Sequence, residues 1–152
     1  MSGNLLMLWD LDGTLADIQH RAHYLKQSPA PWPEFFSHLR KDKPIMQSVA
    51  LFNMAFMNGV APYRAIVTSR PEAYRAQTER WLASNRLTRA ALHMRGDHDH
   101  RPAPLQKLEV LQKLRKLHKW SGIIAFDDQP AVVQMYRDEG ILCYQTAEGG
   151  AY

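Results

Sequence analysis

The sequence predicts an α/β protein with a Rossmann-like fold, in which a five-stranded, mainly parallel sheet carries helices on both faces. Two observations predict this class. Short apolar runs alternate along the chain with longer amphipathic segments, an order typical of parallel strands joined by helices. Several helical segments also begin near a proline and end near a glycine. The 152 residues, 45% of them hydrophobic, are enough for one core, so we expect a single domain over residues 1–152.

Each predicted element follows from a local pattern. Short apolar runs bounded by turn residues predict five strands, at residues 5–10, 64–68, 90–94, 122–127 and 141–145. Amphipathic periodicity predicts four helices, at residues 45–58, 72–85, 105–119 and 131–139. Each helix would then connect one strand to the next, as a parallel sheet requires.

Residues 17–43 interrupt this alternation directly after the first strand. A short helical segment at 18–26 is followed by a proline-rich loop and a second short helix. We expect this insertion to form a small helical flap over the end of the sheet. Its aromatic residues Trp32, Phe35 and Phe36 either stack a base of the substrate or anchor the flap to the core.

The composition limits the classes of function. The formal charge of +4 fits an anionic substrate such as a nucleotide or nucleic acid, and it fits a solvated basic surface equally well. Cys143 is the only cysteine, and the first residues lack the pattern of a secretion signal, so we expect a cytoplasmic protein. The apolar stretches are too short to span a bilayer, so we expect no membrane role. The sequence does not indicate the oligomeric state.

The most informative motif is Asp10-Leu11-Asp12-Gly13-Thr14, which follows the first predicted strand. In an extended segment the side chains of Asp10 and Asp12 project to the same face, and Gly13 allows the sharp turn that follows. Carboxylate oxygens are the ligands that Mg²⁺ prefers. The motif therefore predicts a site that holds a divalent cation and attacks a phosphorus atom. An ordinary Asx-type turn would use the same residues.

Polar side chains also follow two other predicted strands. Thr68, Ser69 and Arg70 follow the second strand, and Asp127 and Asp128 follow the fourth. Ligands of an open parallel sheet bind outside the carboxyl ends of its strands, so these groups should meet the two aspartates of the first motif. Hydroxyls and an arginine suit phosphate oxygens, and the second acidic pair suits the metal. Each group could instead cap the helix that follows it.

Lys107 is predicted to point inward. On the helix at 105–119 it shares a face with Val110, Leu111 and Leu114, at spacings of three, four and seven residues. An inward lysine needs an anionic partner, which the acidic cluster and a bound phosphate would supply. The alternative is a lysine that reaches back to solvent at the helix end.

The chain resembles the haloacid dehalogenase (HAD) superfamily of phosphatases, because it contains four motifs of that superfamily in order: DLDGTLAD at 10–17, VTSR at 67–70, Lys107, and FDD at 126–128. Within the superfamily it is most similar to the 3′-phosphatase domain of phage polynucleotide kinase-phosphatase, which also has a basic residue in the second motif and an acidic pair in the fourth. Gln129 departs from the arginine that the phage domains tend to carry there. No GxxxxGK[ST] loop is present, so the resemblance implies a phosphatase with no kinase domain in this chain.

The resemblance also implies roles for the motif residues. Asp10 would be the nucleophile that forms an aspartyl-phosphate, and Asp12 would be the general acid and base. Thr68 and Lys107 would hold the phosphoryl oxygens as charge redistributes. Mg²⁺ would be the cofactor, held by four acidic residues, of which the second uses its main-chain carbonyl: Asp10, Asp12, Asp127 and Asp128. Which member of the last pair touches the metal stays open.

A second group of side chains is expected to contact the substrate: Thr14, Ser69, Arg70, Arg21 and Arg101. Arg21 lies in the first helical segment of the flap, where basic residues could equally face solvent. Arg101 ends a polar run, residues 95–101, that contains two histidines. This run lacks the spacing of a tetrahedral metal site, so we expect a polar loop that faces the substrate.

Three functions remain open. The first is a metal-dependent phosphatase that removes a phosphate, best matched to a 3′-phosphate, from a nucleic-acid end. The second is a small-molecule phosphatase, such as a nucleotidase that acts on nucleoside monophosphates. The third is an inactive binding protein on the same fold, since fold does not fix function. The small size of the flap favours the first, because it leaves room for the end of a polymer.

Overall fold

The computed structural model describes residues 3–59, 61 and 63–149. In chain order its strands are β1 (Leu5–Trp9), β2 (Ala16–Asp17), β3 (Lys43–Pro44), β4 (Tyr63–Pro71), β5 (Ala91–Arg95), β6 (Gly122–Asp127) and β7 (Leu142–Gln145). Five of them form the central parallel sheet, in the order β5-β4-β1-β6-β7. The helices are α1 (Trp32–Ser37), α2 (Met46–Met57), α3 (Arg75–Ser84), α4 (Ala103–Leu117) and α5 (Pro130–Asp138). None of the helices in the described residues is long and apolar enough to cross a membrane.

The central strand β1 is apolar on both faces because both faces of the sheet are covered. Leu6 and Leu8 face a layer formed by α4 and α5, whereas Met7 and Trp9 face a layer formed by α2 and α3. Trp9 stacks on Phe126 of β6 with a centroid distance of 4.0 Å. The continuous apolar run that predicted a buried parallel strand therefore has a direct packing cause.

The predicted α/β class is confirmed, and so are the five sheet strands and the four long helices, with bounds that shift by a few residues. The largest difference is in β4, which extends to Pro71, so that Thr68 and the two residues after it lie within the strand. The helix predicted at 72–85 is divided into a 3₁₀ turn, Glu72–Tyr74, and α3. The helix predicted at 105–119 begins two residues earlier, at Ala103.

The flap is built from short elements with an apolar cluster of their own. A 3₁₀ segment, Gln19–Lys26, precedes α1, and a 3₁₀ turn, Leu39–Lys41, follows it. The cluster consists of four buried side chains: Ile18, Phe35, Phe36 and Leu39. At its base β2 and β3 pair antiparallel, with Ala16 opposite Pro44. The sequence did not predict this pair, because two residues are too few to show an alternation.

We predict that Phe52→Ala lowers the free energy of unfolding by about 3–5 kcal/mol, the usual cost of removing a buried ring. Phe52 is fully buried on α2, where its ring meets Trp9 edge to face at 5.7 Å and lies 4.1 Å from the guanidinium carbon of Arg64. Chemical denaturation measures the change. Leu117→Ala is the control, because that side chain is 68% exposed and its removal should cost far less. Equal effects of the two substitutions would contradict this packing.

Candidate active site

The site lies at the carboxyl ends of β1, β4 and β6, where sheets of this kind bind ligands. Asp10 follows β1 directly, and its main-chain N–H donates a hydrogen bond of 2.9 Å to the carbonyl of Phe126. This bond continues the pairing of β1 with β6 and holds Asp10 beside Asp127. Carboxylate oxygens of Asp10, Asp127 and Asp128 lie within 4.8 Å of one another, and all three side chains are buried.

Gly13 allows the turn after β1 to approach this cluster. Its φ of +85° lies in the left-handed region, and a Cβ atom at this position would lie 2.3 Å from Oδ2 of Asp128. A side chain is therefore excluded both by the backbone conformation and by the neighbouring carboxylate. The turn is thus more constrained than the ordinary Asx-type turn that the motif alone would allow.

Lys107 points into the cluster, as its helical face predicted. Its Nζ donates hydrogen bonds of 2.6 Å to Oδ1 of Asp10 and to Oδ2 of Asp127. The side chain is only 2% exposed, so it does not reach back to solvent. Burial alone would lower the pKa of Lys107, but the two carboxylates outweigh burial and raise it. Lys107 is therefore charged in the folded protein.

One ammonium group does not balance three carboxylates. Burial raises the pKa of Asp10 well above its usual range, Asp127 and Asp128 raise it further, and Lys107 opposes them. A site with an excess of buried negative charge on oxygen ligands has the chemistry that divalent cations such as Mg²⁺ require. The donor set formed by Asp10, Asp127 and Asp128 therefore fits a hard divalent cation.

The side chain of Asp12 is not part of this carboxylate cluster. It accepts hydrogen bonds from two guanidinium groups, at 2.8 Å from Nη2 of Arg21 and at 3.1 Å from Nε of Arg70. The same two arginines also bind Asp42, Arg21 at 2.7 Å through both Nε and Nη2 and Arg70 at 2.8 Å through Nη2. Burial would raise the pKa of Asp12, but Arg70 and Arg21 together lower it.

This network corrects the expectation that Arg21 and Arg70 contact the substrate directly. Their side chains are fully buried. Asp12 and Asp42 accept the hydrogen bonds of Nε and Nη2 of both arginines, so these donors are not free to bind phosphate. Both arginines therefore orient Asp12 from behind.

Asp42 is the main residue of the site that the sequence did not predict. Its side chain is fully buried and also lies 2.8 Å from Nε2 of His20, while its carbonyl accepts a hydrogen bond of 2.8 Å from the indole N–H of Trp81. No motif marks it, because it lies at the end of the flap between two lysines. Its arginine partners are 21 and 28 residues away, so no local pattern in the sequence indicated it.

The hydroxyl residues divide between the cavity and its support. Thr68 and Ser69 line the cavity in front of the carboxylates. Thr14 is fully buried instead, and its hydroxyl lies 3.3 Å from Oδ2 of Asp10 and 3.0 Å from the hydroxyl of Thr146. Thr14 therefore supports Asp10 and does not reach the substrate, which corrects its predicted role. Neither Thr68 nor Ser69 caps the following helices, whose first residues have no side-chain cap.

A cavity of about 620 Å³ opens above Asp10. Its floor contains Asp10, Asp12, Thr68 and Lys107. Aromatic side chains also line it, and we call three of them the aromatic wall: Trp32, Phe36 and Tyr74. The segment from the end of β5 to the start of α4, residues 95–103, also lines the cavity, and we call it the facing loop. The flap and this loop thus both border the cavity above the acidic cluster.

The facing loop carries charges of both signs that pair with one another. Arg101 lines the cavity, but it binds Asp99 at 2.7 Å and Glu109 at 2.6 Å. Arg95 donates to the main-chain carbonyls of Asp99 and Arg101. Among the described residues the histidines of this loop are not part of a cluster of three metal-ligating side chains. The loop is therefore a polar surface with little unpaired charge.

The chain is similar to known proteins in sequence and in structure. The family model of the polynucleotide kinase PNKP phosphatase domain matches residues 5–150. A chain in a structure of the Pnkp1/Rnl/Hen1 complex is 26% identical, with a TM-score of 0.78 over 99% of this chain and 48% of that chain. A chain of the Pnkp1/Rnl/Hen1 RNA repair complex is 27% identical, with a TM-score of 0.79 over 100% of this chain and 45% of that chain.

This chain therefore spans about half the length of those two structural neighbours. A hydrolase from Streptococcus pneumoniae TIGR4 has the same fold at 14% identity, with a TM-score of 0.59 over 95% of this chain and 93% of that chain. A comparison with curated protein sequences gave no match.

We predict that Asp42→Asn lowers the free energy of unfolding by about 3–5 kcal/mol, because it leaves the buried Arg21 and Arg70 with a single carboxylate between them. Urea denaturation measures the change. Glu79→Gln is the matched control, because Glu79 pairs with Arg75 at the surface and is 55% exposed. The proposed charge balance would be wrong if Asp42→Asn were as harmless as Glu79→Gln.

Proposed function

The chain belongs to the family of polynucleotide kinase PNKP phosphatase domains, which are HAD-type phosphatases, and we propose that it is a Mg²⁺-dependent hydrolase that removes 3′-phosphates from nucleic-acid ends. The observation that carries the proposal is the position of Asp10. Its buried carboxylate lies at the floor of an open cavity, beside Lys107 and two further aspartates. The inactive binding protein is less well supported, because such a protein would not need this assembled set.

Asp10 is the proposed nucleophile. Its carboxylate attacks phosphorus to form an aspartyl-phosphate, which divides one difficult displacement into two easier ones. Thr14 holds the carboxylate through the hydrogen bond to Oδ2, and Lys107 holds the other oxygen, Oδ1. The side chain is therefore fixed before the substrate arrives, which lowers the entropic cost of the attack.

Asp12 is the proposed general acid and base. It would protonate the leaving sugar oxygen and then take a proton from the water that hydrolyses the aspartyl-phosphate. Arg21 and Arg70 lower the pKa of Asp12 and so favour its ionised form, which suits the role of general base better than that of general acid. The negative charge of a bound phosphate opposes the arginines and favours the protonated form. Substrate binding would thus prepare Asp12 for the first step.

Lys107 and Thr68 at the cavity floor, and Ser69, which also lines the cavity, can hold phosphoryl oxygens. Asp10, Asp127, Asp128 and the main-chain carbonyl of Asp12 are the proposed ligands of Mg²⁺. When bound, the cation would offset the repulsion between an anionic nucleophile and an anionic ester.

The choice of substrate rests on the family and on the shape of the cavity. The flap covers one side of the site, and the cavity leaves space for more than a phosphate. Two structural neighbours are chains of a Pnkp1/Rnl/Hen1 complex, one of them described as an RNA repair complex, which favours a nucleic-acid end. A nucleotidase is the second candidate, because two of the three arginines expected to contact the substrate, Arg21 and Arg70, are buried in ion pairs.

Phosphate release from matched oligonucleotides and mononucleotides tests the substrate. We expect the highest kcat/KM for RNA or DNA oligonucleotides with a 3′-phosphate. The same oligonucleotides with a 5′-phosphate, and the 3′- and 5′-mononucleotides, should all have lower values than these. Equal turnover of mononucleotides would replace the proposal with the nucleotidase.

We predict that Asp10→Asn reduces turnover to less than about one hundredth of the wild-type rate, because the amide is nearly isosteric but a poor nucleophile. Steady-state phosphate release in the presence of Mg²⁺ measures the effect. A thermal melt without added metal should show a fold at least as stable as the wild type, since the substitution removes one of three buried carboxylates. Retention of a larger share of activity would disprove the assignment of the nucleophile.

Two lysines of α4 provide a matched pair for the phosphate contact. We predict that Lys107→Ala lowers kcat by at least about 100-fold, because a buried donor at the reacting oxygens is lost. Lys113→Ala should leave kcat unchanged, because Lys113 is 66% exposed and pairs with Glu109 on another face of the helix. Comparable effects in the two variants would rule out a specific role for Lys107.

A further inference from the structure

One ring of the aromatic wall, that of Trp32, is not buried by the packing of the flap. Phe36 is buried in the cluster that holds the flap together, but Trp32 remains 47% exposed while it lines the cavity. The ring of Trp32 stacks on Phe36 at 5.9 Å with an interplanar angle of 22°, and Phe36 contacts Tyr74 of the adjoining 3₁₀ turn at 4.9 Å. These contacts fix an indole face beside the cavity.

The charges around the cavity leave little electrostatic affinity for anything beyond the reacting phosphate. Within the described part of the chain, each arginine or lysine that lines the cavity already has a partner. Lys107 is held by Asp10 and Asp127, Arg101 by Asp99 and Glu109, and Arg95 by main-chain carbonyls. Contacts to further phosphates would have to compete with these pairs, whereas apolar contact with the wall costs no ion pair.

A further group in the cavity has an unused donor. Gln129 lines the cavity, and its buried side-chain amide nitrogen has no hydrogen-bond partner among the described residues. A buried N–H group without a partner is costly, so such a group is usually met by a ligand or by water. The cavity is therefore bordered by an aromatic surface and by a polar side chain with an unpaired amide nitrogen, in addition to the floor that holds the phosphate.

We propose that the aromatic wall is a subsite for the nucleobase of the terminal nucleotide, with Trp32 as the ring on which the base stacks. The inference rests on the proposed function, because it takes the reacting phosphate to lie at Asp10. A cavity of about 620 Å³ is within the size range of small-ligand sites and can hold a nucleoside. Every base has a π-face, so stacking would tolerate any sequence at the end.

Two 3′-phosphorylated oligonucleotides test the proposal, one ending in a normal nucleotide and the other ending in an abasic residue. With the wild-type protein, KM should be about 5- to 160-fold lower for the end that has a base, the range expected for one stacked base. Trp32→Ala should raise KM for that end by a similar factor and leave the abasic end unchanged. Trp32→Phe should restore most of the difference.

Tyr63→Ala is the matched control, because Tyr63 is an equally exposed aromatic residue at the amino end of β4, away from the site. A second readout does not depend on turnover. An oligonucleotide ending in 2-aminopurine 3′-phosphate should lose fluorescence when the Asp10→Asn variant binds it, and the additional change Trp32→Ala should remove this quenching.

The outcomes separate this inference from the proposed function. If wild-type protein releases no phosphate from any 3′-end, the proposed function fails, and the quenching experiment still decides whether the wall binds a base. If Trp32→Ala affects both ends equally, or neither end, and leaves the quenching intact, the subsite is overturned while the phosphatase activity stands.

Discussion

The structure depends on the compensation of buried carboxylates at one end of the sheet. Five aspartates converge there, four of them buried and the fifth partly so: Asp10, Asp12, Asp42, Asp127 and Asp128. Three buried cations face them: Arg21, Arg70 and Lys107. A buried charge without a partner is costly, so each of these cations must lie beside its carboxylates, although the three come from different elements of the fold. The carboxylates still outnumber the cations by two, the charge of one divalent metal ion.

The network joins the flap to the chemistry. Arg21 comes from the flap, lies 4.1 Å over the ring of Phe35 and reaches Asp12, while Arg70 reaches the same carboxylate from β4. A displaced flap would remove one of the two groups that lower the pKa of Asp12. The position of the flap therefore affects the pKa of Asp12, although the flap lies outside the sheet.

The sequence predicted the fold and the acidic cluster because both follow from local patterns. The alternation of strands and helices predicted the sheet, and the spacing of Lys107 from the apolar residues of α4 was enough to predict that it points inward. The roles of Arg21 and Arg70 were predicted incorrectly, since a sequence shows a charge but not whether another residue has already neutralised it. Asp42 was missed for the same reason: its partners are 21 and 28 residues away, and no periodicity connects them.

The pairing of β2 with β3 in a separate two-stranded sheet brings the two ends of the flap together. The cost of closing a loop grows only slowly with its length, so the segment between Asp17 and Lys43 can be exchanged for a shorter or longer one without disturbing the five strands. Such an exchange would alter which substrates fit the cavity and would leave the proposed nucleophile, Asp10, unchanged. Arg21 and Asp42 both lie in this segment, so its replacement must still supply a guanidinium group for Asp12 and a carboxylate behind that group.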